Sequence, residues 1–443
     1  MNRITGAFHG VLAVAMGLVL LFAAPLRAEV DIQEITTPGG FRVWLVEEQA
    51  IPFVALEIRF RGGASLDMPG KRGAINLMTA TLEEGAGDLD ARAFAARRDS
   101  LAAELHFDVG PDALSVSAKM LSENRTEAAE LLRLALNEPR FDQDAVDRVR
   151  HQVLSIIRSD QKDPDSIAFQ TFNRLAFGEH PYGSSINGTI ESVSALTRED
   201  LVEARNRVIA RDRVHVAAVG DITPDELSEL VDGLLSGLPA RGAPMPPEAP
   251  WLLEGGQTVV PFETPQSVAV FGAPGIGMDD PDFFAAYVLT EIVGGSGLQS
   301  RLMKEVRERR GLTYGVYAYL ADRVLADTLM GHVASANDRI ASAIKVIRGE
   351  WERLQREGVS AEELARAKRY MTGAYPLRFD GNGPIANILV GMQMRGMPPD
   401  YINIRNARIE AVTLEDIQRV IRRLYRPEKL HFVVVGQPQG LGE

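Results

Sequence analysis

Thr197-Arg-Glu-Asp-Leu201 leads through a helical stretch to Val214-His-Val-Ala-Ala-Val-Gly220, and 216 residues later Thr413-Leu-Glu-Asp-Ile417 leads to Leu430-His-Phe-Val-Val-Val-Gly436. The match needs no gap. It pairs Thr197 with Thr413, Asp200 with Asp416, His215 with His431 and Gly220 with Gly436. Each copy opens on a capping box, in which Thr and Asp side chains satisfy free amides at a helix start. Each closes on an apolar run rich in β-branched residues, the signature of a buried strand ending at glycine. Repeat symmetry alone accounts for the two histidines, which are read as structural.

Working outward, Ser236 to Gly256 holds five prolines and several glycines, a composition that supports neither helix nor strand. It reads as a linker (236–256) between an N-terminal domain (29–235) and a C-terminal domain (257–443). Strands are expected at Arg42–Val46, Val54–Phe60 and Ser267–Phe271. A long amphipathic helix is expected over Asp338–Glu357, with Ile340, Ile344, Ile347, Trp351 and Leu354 on its buried stripe. Strands and helices mixed in this order imply an α+β fold of two homologous α/β-sandwich domains.

Composition removes several functions. The 443 residues are 45% hydrophobic and 24% charged, an ordinary globular balance with ample material for two cores. The net charge of −12 and scattered basic residues argue against nucleic-acid binding. The chain has no cysteine, which excludes thiolate nucleophiles and thiolate metal sites. Arg3, the apolar run Val11–Ala24 and the small residue Ala28 before the first acidic side chain form a signal peptide (1–28). The run is shorter than the roughly 20 residues of a bilayer span. Cleavage near Ala28 and a periplasmic protein with no membrane span after signal removal are the expectation; retention as an anchor is the alternative.

The segment richest in chemistry runs from Glu291 to Tyr317. Its sequence places a helix end at Gly294-Gly295, a second helix from Ser296 to about Arg310, and a strand from Leu312 carrying Tyr314 and Tyr317. No Lys-Ser/Thr pair follows the glycines, so they are not a phosphate loop. Gly294, Gly295, Ser296 and Gly297 are instead candidate substrate-binding residues, since bare backbone can pair with an extended peptide.

Arg-Glu-Arg-Arg-Gly-Leu-Thr-Tyr, Arg307 to Tyr314, resembles a segment in the C-terminal halves of pitrilysin/insulinase zinc peptidases. The resemblance implies that Arg307 and Tyr314 are catalytic, binding the substrate backbone and donating to the oxygen that gains negative charge on attack. Arg61–Asp67 and Gly70–Ile75 likewise resemble the approach to that family's inverted zinc motif, His-x-x-Glu-His. At the motif itself stand Asn76, Thr79 and Ala80, and Ile156 occupies the place of the distal glutamate ligand. None can ligate zinc as the family requires, and no two of the remaining histidines lie three to five apart.

One half-site is kept and the other lost. The resemblance therefore implies the non-metal subunit of a two-chain periplasmic metallopeptidase, inactive alone. It would bind no cofactor itself, zinc being expected in a homologous partner chain with His-x-x-Glu-His, and the pair would hydrolyse peptides as a heterodimer or larger assembly. The alternative is a catalytically inactive scaffold or peptide-binding homologue.

Overall fold

The computed structural model describes residues 31–295 and 297–441; the signal-peptide reading and Ser296 lie outside them. In chain order the strands are β1 (Gln33–Thr36), β2 (Arg42–Glu47), β3 (Phe53–Arg61), β4 (Gly85–Ala86), β5 (Leu89–Asp90), β6 (Glu104–Val109), β7 (Ala113–Leu121), β8 (Val214–Gly220), β9 (Gly256–Pro261), β10 (Gln266–Pro274), β11 (Val316–Asp322), β12 (Asp327–Ala336) and β13 (His431–Gly436). The first sheet has the order β1-β2-β8-β3-β7-β6 and the second β11-β12-β10-β13-β9; β4 and β5 form a separate small ribbon.

The two sheets repeat one plan. β8 lies parallel to β2 and antiparallel to β3, as β13 lies parallel to β9 and antiparallel to β10. Both repeat helices, Arg198–Val208 and Leu414–Leu424, start with the expected Thr–Asp capping box. The expected long helix spans Ile340–Glu357 and buries Trp351 completely. No helix among the described residues is long and apolar enough to cross a membrane.

Period-2 alternation gives each central strand two apolar faces, so both sides of each sheet need cover. One face of the first sheet carries Leu56, Ile58, Val116 and Ala218 into a core shared with the helices of its own half. The second sheet does likewise with Phe271, Ala318, Val333 and Val434. The opposite faces are covered reciprocally. The Pro164–Phe177 helix packs on β10 and β13, while the Asn382–Met394 helix packs on β3 and β8.

That exchange is driven by aromatic burial. Phe172 and Phe177 enter a core with Val268, Val270, Val433 and Val435 of the second sheet. Gly272 makes room: a β-carbon there would stand 2.7 Å from the Phe172 ring. Residues 240–254 carry no helix or strand, yet Trp251 packs against Phe172 and Phe177 at 6.0 Å centroid separations. A second tie runs through Tyr182. Its hydroxyl donates to Asp112 and accepts from the Leu325 amide at 3.0 Å, fixing the β11–β12 turn to the N-terminal half.

Two local expectations need correction. Residues 297–300 form turns and the helix runs from Arg301 to Glu308, because the glycine run disfavours helix. β11 starts at Val316 rather than Leu312. The Thr313 hydroxyl lies 2.8 Å from the Gly315 carbonyl and 2.6 Å from that of Ala334, holding 312–315 as a turn outside the ladder.

Phe172→Ala should cost about 3–5 kcal/mol, the usual penalty for emptying a fully buried aromatic site. Urea unfolding of the purified chain measures it, and a change below about 1 kcal/mol would contradict the exchange as a structural tie.

Candidate active-site remnant

The helix that should bear the metal motif is intact in backbone and altered in chemistry. Asp67 accepts from the Gly73 and Ile75 amides at 2.8 Å and from Arg72 at 3.2 Å, anchoring the start of the Ala74–Ala80 helix. Arg72 also donates to the carbonyls of Pro181 and Ser184, joining that start to the His180–Gly183 turn. Within the frame, Asn76 donates to Asn187 at 3.1 Å, and Asn187 donates to Asp160 at 3.4 Å. The buried Thr79 hydroxyl is spent on the Ile75 carbonyl at 2.7 Å. Ala80 is exposed, and Ile156 lies 49% exposed on the Gln143–Asp160 helix. An amide chain, a hydroxyl bonded to its own helix, a methyl and a sec-butyl group do not fit zinc. Among the described residues no three or more His, Asp or Glu side chains cluster to hold a metal ion.

The other half-site is built differently. Met303–Glu308 has π-helical hydrogen bonding, with the Arg309 amide reaching back five residues to Lys304 at 2.9 Å. Such widened turns are rare and recur at functional sites. The neighbouring cations are tied down. Arg301 pairs with Glu363 at 2.7 Å, and Arg309 and Arg310 pair with the buried Glu305 at 2.6 and 2.7 Å. Arg307 is half-buried and has no side-chain hydrogen bond or ion pair among the described residues. The Leu312 amide donates to Val306 at 3.0 Å, so the turn carrying Tyr314 springs directly from the turn carrying Arg307. Tyr314 is 89% exposed. No hydrogen bond joins the two side chains.

The glycines divide. Gly294 is buried, and a β-carbon there would stand 2.4 Å from the Ala318 amide nitrogen, so close packing of helix on β11 requires it. Gly295 lies against the Glu291 carboxyl group, and at half-buried Gly297 a β-carbon would meet nothing nearer than the Gln299 amide nitrogen at 4.0 Å. Gly294 and Gly295, but neither Arg307 nor Tyr314, line a cavity of about 880 Å³ between β11, the Phe283–Gly294 helix and the Asn382–Met394 helix.

Sequence reading missed this cavity. It is walled by tyrosines, among them Tyr287, Tyr317 and Tyr319, and by Arg59, Arg378, Arg395 and Arg405. Those residues are scattered through the chain and follow no motif. One local signal exists: Glu291 is the lone charged residue of the Phe283–Gly294 helix. It has no hydrogen-bond partner among the described residues, and burial raises its pKa above the ordinary carboxylate value.

Residues 195–371 match the family model described as the peptidase M16 inactive domain. The chain is 24% identical to the non-peptidase homolog YmxG of Helicobacter pylori, over 96% of this chain and 98% of that one. It is 27% identical to an uncharacterized zinc protease of Mycobacterium tuberculosis, over 88% and 90% respectively. The crystal structure of a peptidase M16 inactive domain from Pseudomonas fluorescens superposes with a TM-score of 0.87 at 26% identity, covering 93% of this chain and 99% of that one.

Glu291→Gln should stabilise the protein at neutral pH. A carboxyl group whose pKa is raised on folding favours the folded state least where it must ionise, above that raised pKa. The advantage of the amide should therefore shrink as pH falls through the ordinary carboxylate range. Thermal melts of both proteins across pH give the test; a pH-independent difference would contradict it.

Proposed function

The chain is an inactive-type homologue of the M16 peptidase family, and from that premise we propose that it is the non-metal subunit of a two-chain peptidase. Its partner is a homologous chain with an intact His-x-x-Glu-His, and both work in the periplasm after export. The observation that carries this reading is the state of Arg307 and Tyr314. In a segment where every neighbouring arginine is consumed by a carboxylate, Arg307 keeps its donors free. Tyr314 stands almost wholly in solvent on a braced turn.

A guanidinium and a phenol with no side-chain partner among the described residues suit a substrate held between two chains. Donors fixed before reaction stabilise a developing oxyanion without reorganising, which is where such contacts lower a barrier. Gly297, where a β-carbon would meet nothing nearer than 4.0 Å, leaves backbone available to an extended peptide. The lost metal half is consistent with division of labour, since this chain's own residues at that place hold each other.

The rival reading, a silent scaffold, draws on the non-peptidase designation of the Helicobacter relative. It gives Arg307 no chemical duty, so the two readings separate on one variant. Arg307→Ala, mixed with the zinc-motif partner, should lower kcat on an unstructured peptide by about 10²–10³ while co-elution of the two chains is unchanged. Tyr314→Phe should lower kcat to a smaller extent. Unaltered turnover in the Arg307→Ala mixture would leave the scaffold reading standing.

A further inference from the structure

The register of the two sheets gives an internal comparison. In the second sheet Gly272 pairs with His431; in the first, Arg59 pairs with His215, the repeat mate of His431. Arg59 thus occupies the position of Gly272. Where Gly272 receives the Phe172 ring, Arg59 instead meets the exchanged helix through a hydrogen bond to Asn387. The residue 216 positions after Phe172 is Ile388, a smaller side chain that lines the 880 Å³ cavity. One interface is apolar and filled. At its symmetry mate the Asn382–Met394 helix also packs on β3 and β8, but Arg59 there borders the cavity instead of receiving a ring.

That charge is unbalanced. Of the four arginines, Arg395 pairs with Asp322 at 2.8 Å. Arg405 is buried against the rings of Tyr287 and Tyr375 and donates to the Met371 carbonyl. Among the described residues Arg59 has only the Asn387 amide, with its Nε buried and unbonded; Glu57, two residues along β3, accepts from Ser117 and forms no ion pair with Arg59. Arg378 is exposed and has no hydrogen-bond partner among the described residues. Asp322 and Glu291 are the carboxyl groups in the lining, and Glu291 is biased by burial toward its neutral form. A cationic cavity in a protein of net charge −12 is a local arrangement, not a consequence of composition.

We infer that this cavity binds a carboxylate-bearing stretch of extended peptide, with Arg59, Arg378 and Arg395 recognising the anion and the tyrosines walling the chain beside it. Its volume is near the top of the ordinary range for ligand sites, about 300–1,000 Å³, which suits several residues rather than one amino acid. Guanidinium groups hold carboxylates through paired N–H donors, and tyrosines add contact area and hydroxyl partners. That the carboxylate arrives on a peptide rests on the function proposed above; the cationic lining does not.

The test uses this chain alone, so its outcome is independent of the Arg307 experiment. Fluorescence anisotropy compares a labelled, unstructured glutamate-containing peptide with its glutamine counterpart, with and without glutarate as competitor. The glutamate peptide should bind at least about tenfold more tightly, and added salt should weaken it. Arg378→Gln, which breaks no side-chain bond among the described residues, should lose most of that preference, and Arg395→Gln should do the same. Equal binding of the two peptides, no binding of either, or a preference untouched by both variants would overturn the inference. Glutarate competing at the affinity of the peptide itself would assign the cavity to a small dicarboxylate and overturn the peptide assignment.

Discussion

Two aromatic rings from one half of the chain, Phe172 and Phe177, are buried on the sheet of the other half, and the architecture depends on that contact. A sheet with two apolar faces cannot stand alone in water. Each half covers one face with its own helices and leaves the other to its counterpart. The linker follows the same logic: Trp251 is held on those rings, and the Leu252 amide donates to the Ala176 carbonyl at 2.8 Å. With Tyr182 and Asp112 gripping the β11–β12 turn, both halves are fixed around β11, the strand that borders the cavity and follows the Tyr314 turn.

The same scaffold explains how the Ala74–Ala80 helix keeps its place without any metal ligand. It is placed by Asp67, Arg72 and the His180 turn, none of which is a metal ligand in the resembled motif. Asn76, Thr79 and Ala80 stand where the resembled motif carries its two histidines and its glutamate. The amide finds Asn187 and the hydroxyl finds its own helix. The Arg307 turn shows the opposite pattern. Its neighbours are neutralised by Glu305 and Glu363 while Arg307 is not, an arrangement that fold stability alone does not require.

Much of the fold was legible because its signals are local. Capping boxes, β-branched runs ending at Gly220 and Gly436, and the Ile and Trp stripe of 340–357 each declare an element within a few residues. The 216-residue repeat declares that there are two of everything. The helix exchange was not legible, since Phe172 and Phe177 look like an ordinary apolar face until their partner sheet is known. The turn at 312–315 was misread because Thr313 and Tyr314 favour strands by propensity, and the hydroxyl contacts that hold the turn reach across to Ala334. Arg307 and Tyr314 could be found by motif. The arginine cavity could not, because its lining is gathered from residues 59 to 405 by tertiary structure alone.

The central claim is that this chain contributes one half of a divided site. The most direct measurement follows peptide hydrolysis and bound zinc in parallel, for this chain, for its zinc-motif partner, and for the two mixed. The account predicts little zinc and no hydrolysis with this chain alone, zinc with the partner, and rapid hydrolysis only in the mixture. Stoichiometric zinc with peptide hydrolysis by this chain alone, or full activity of the partner without it, would contradict the account.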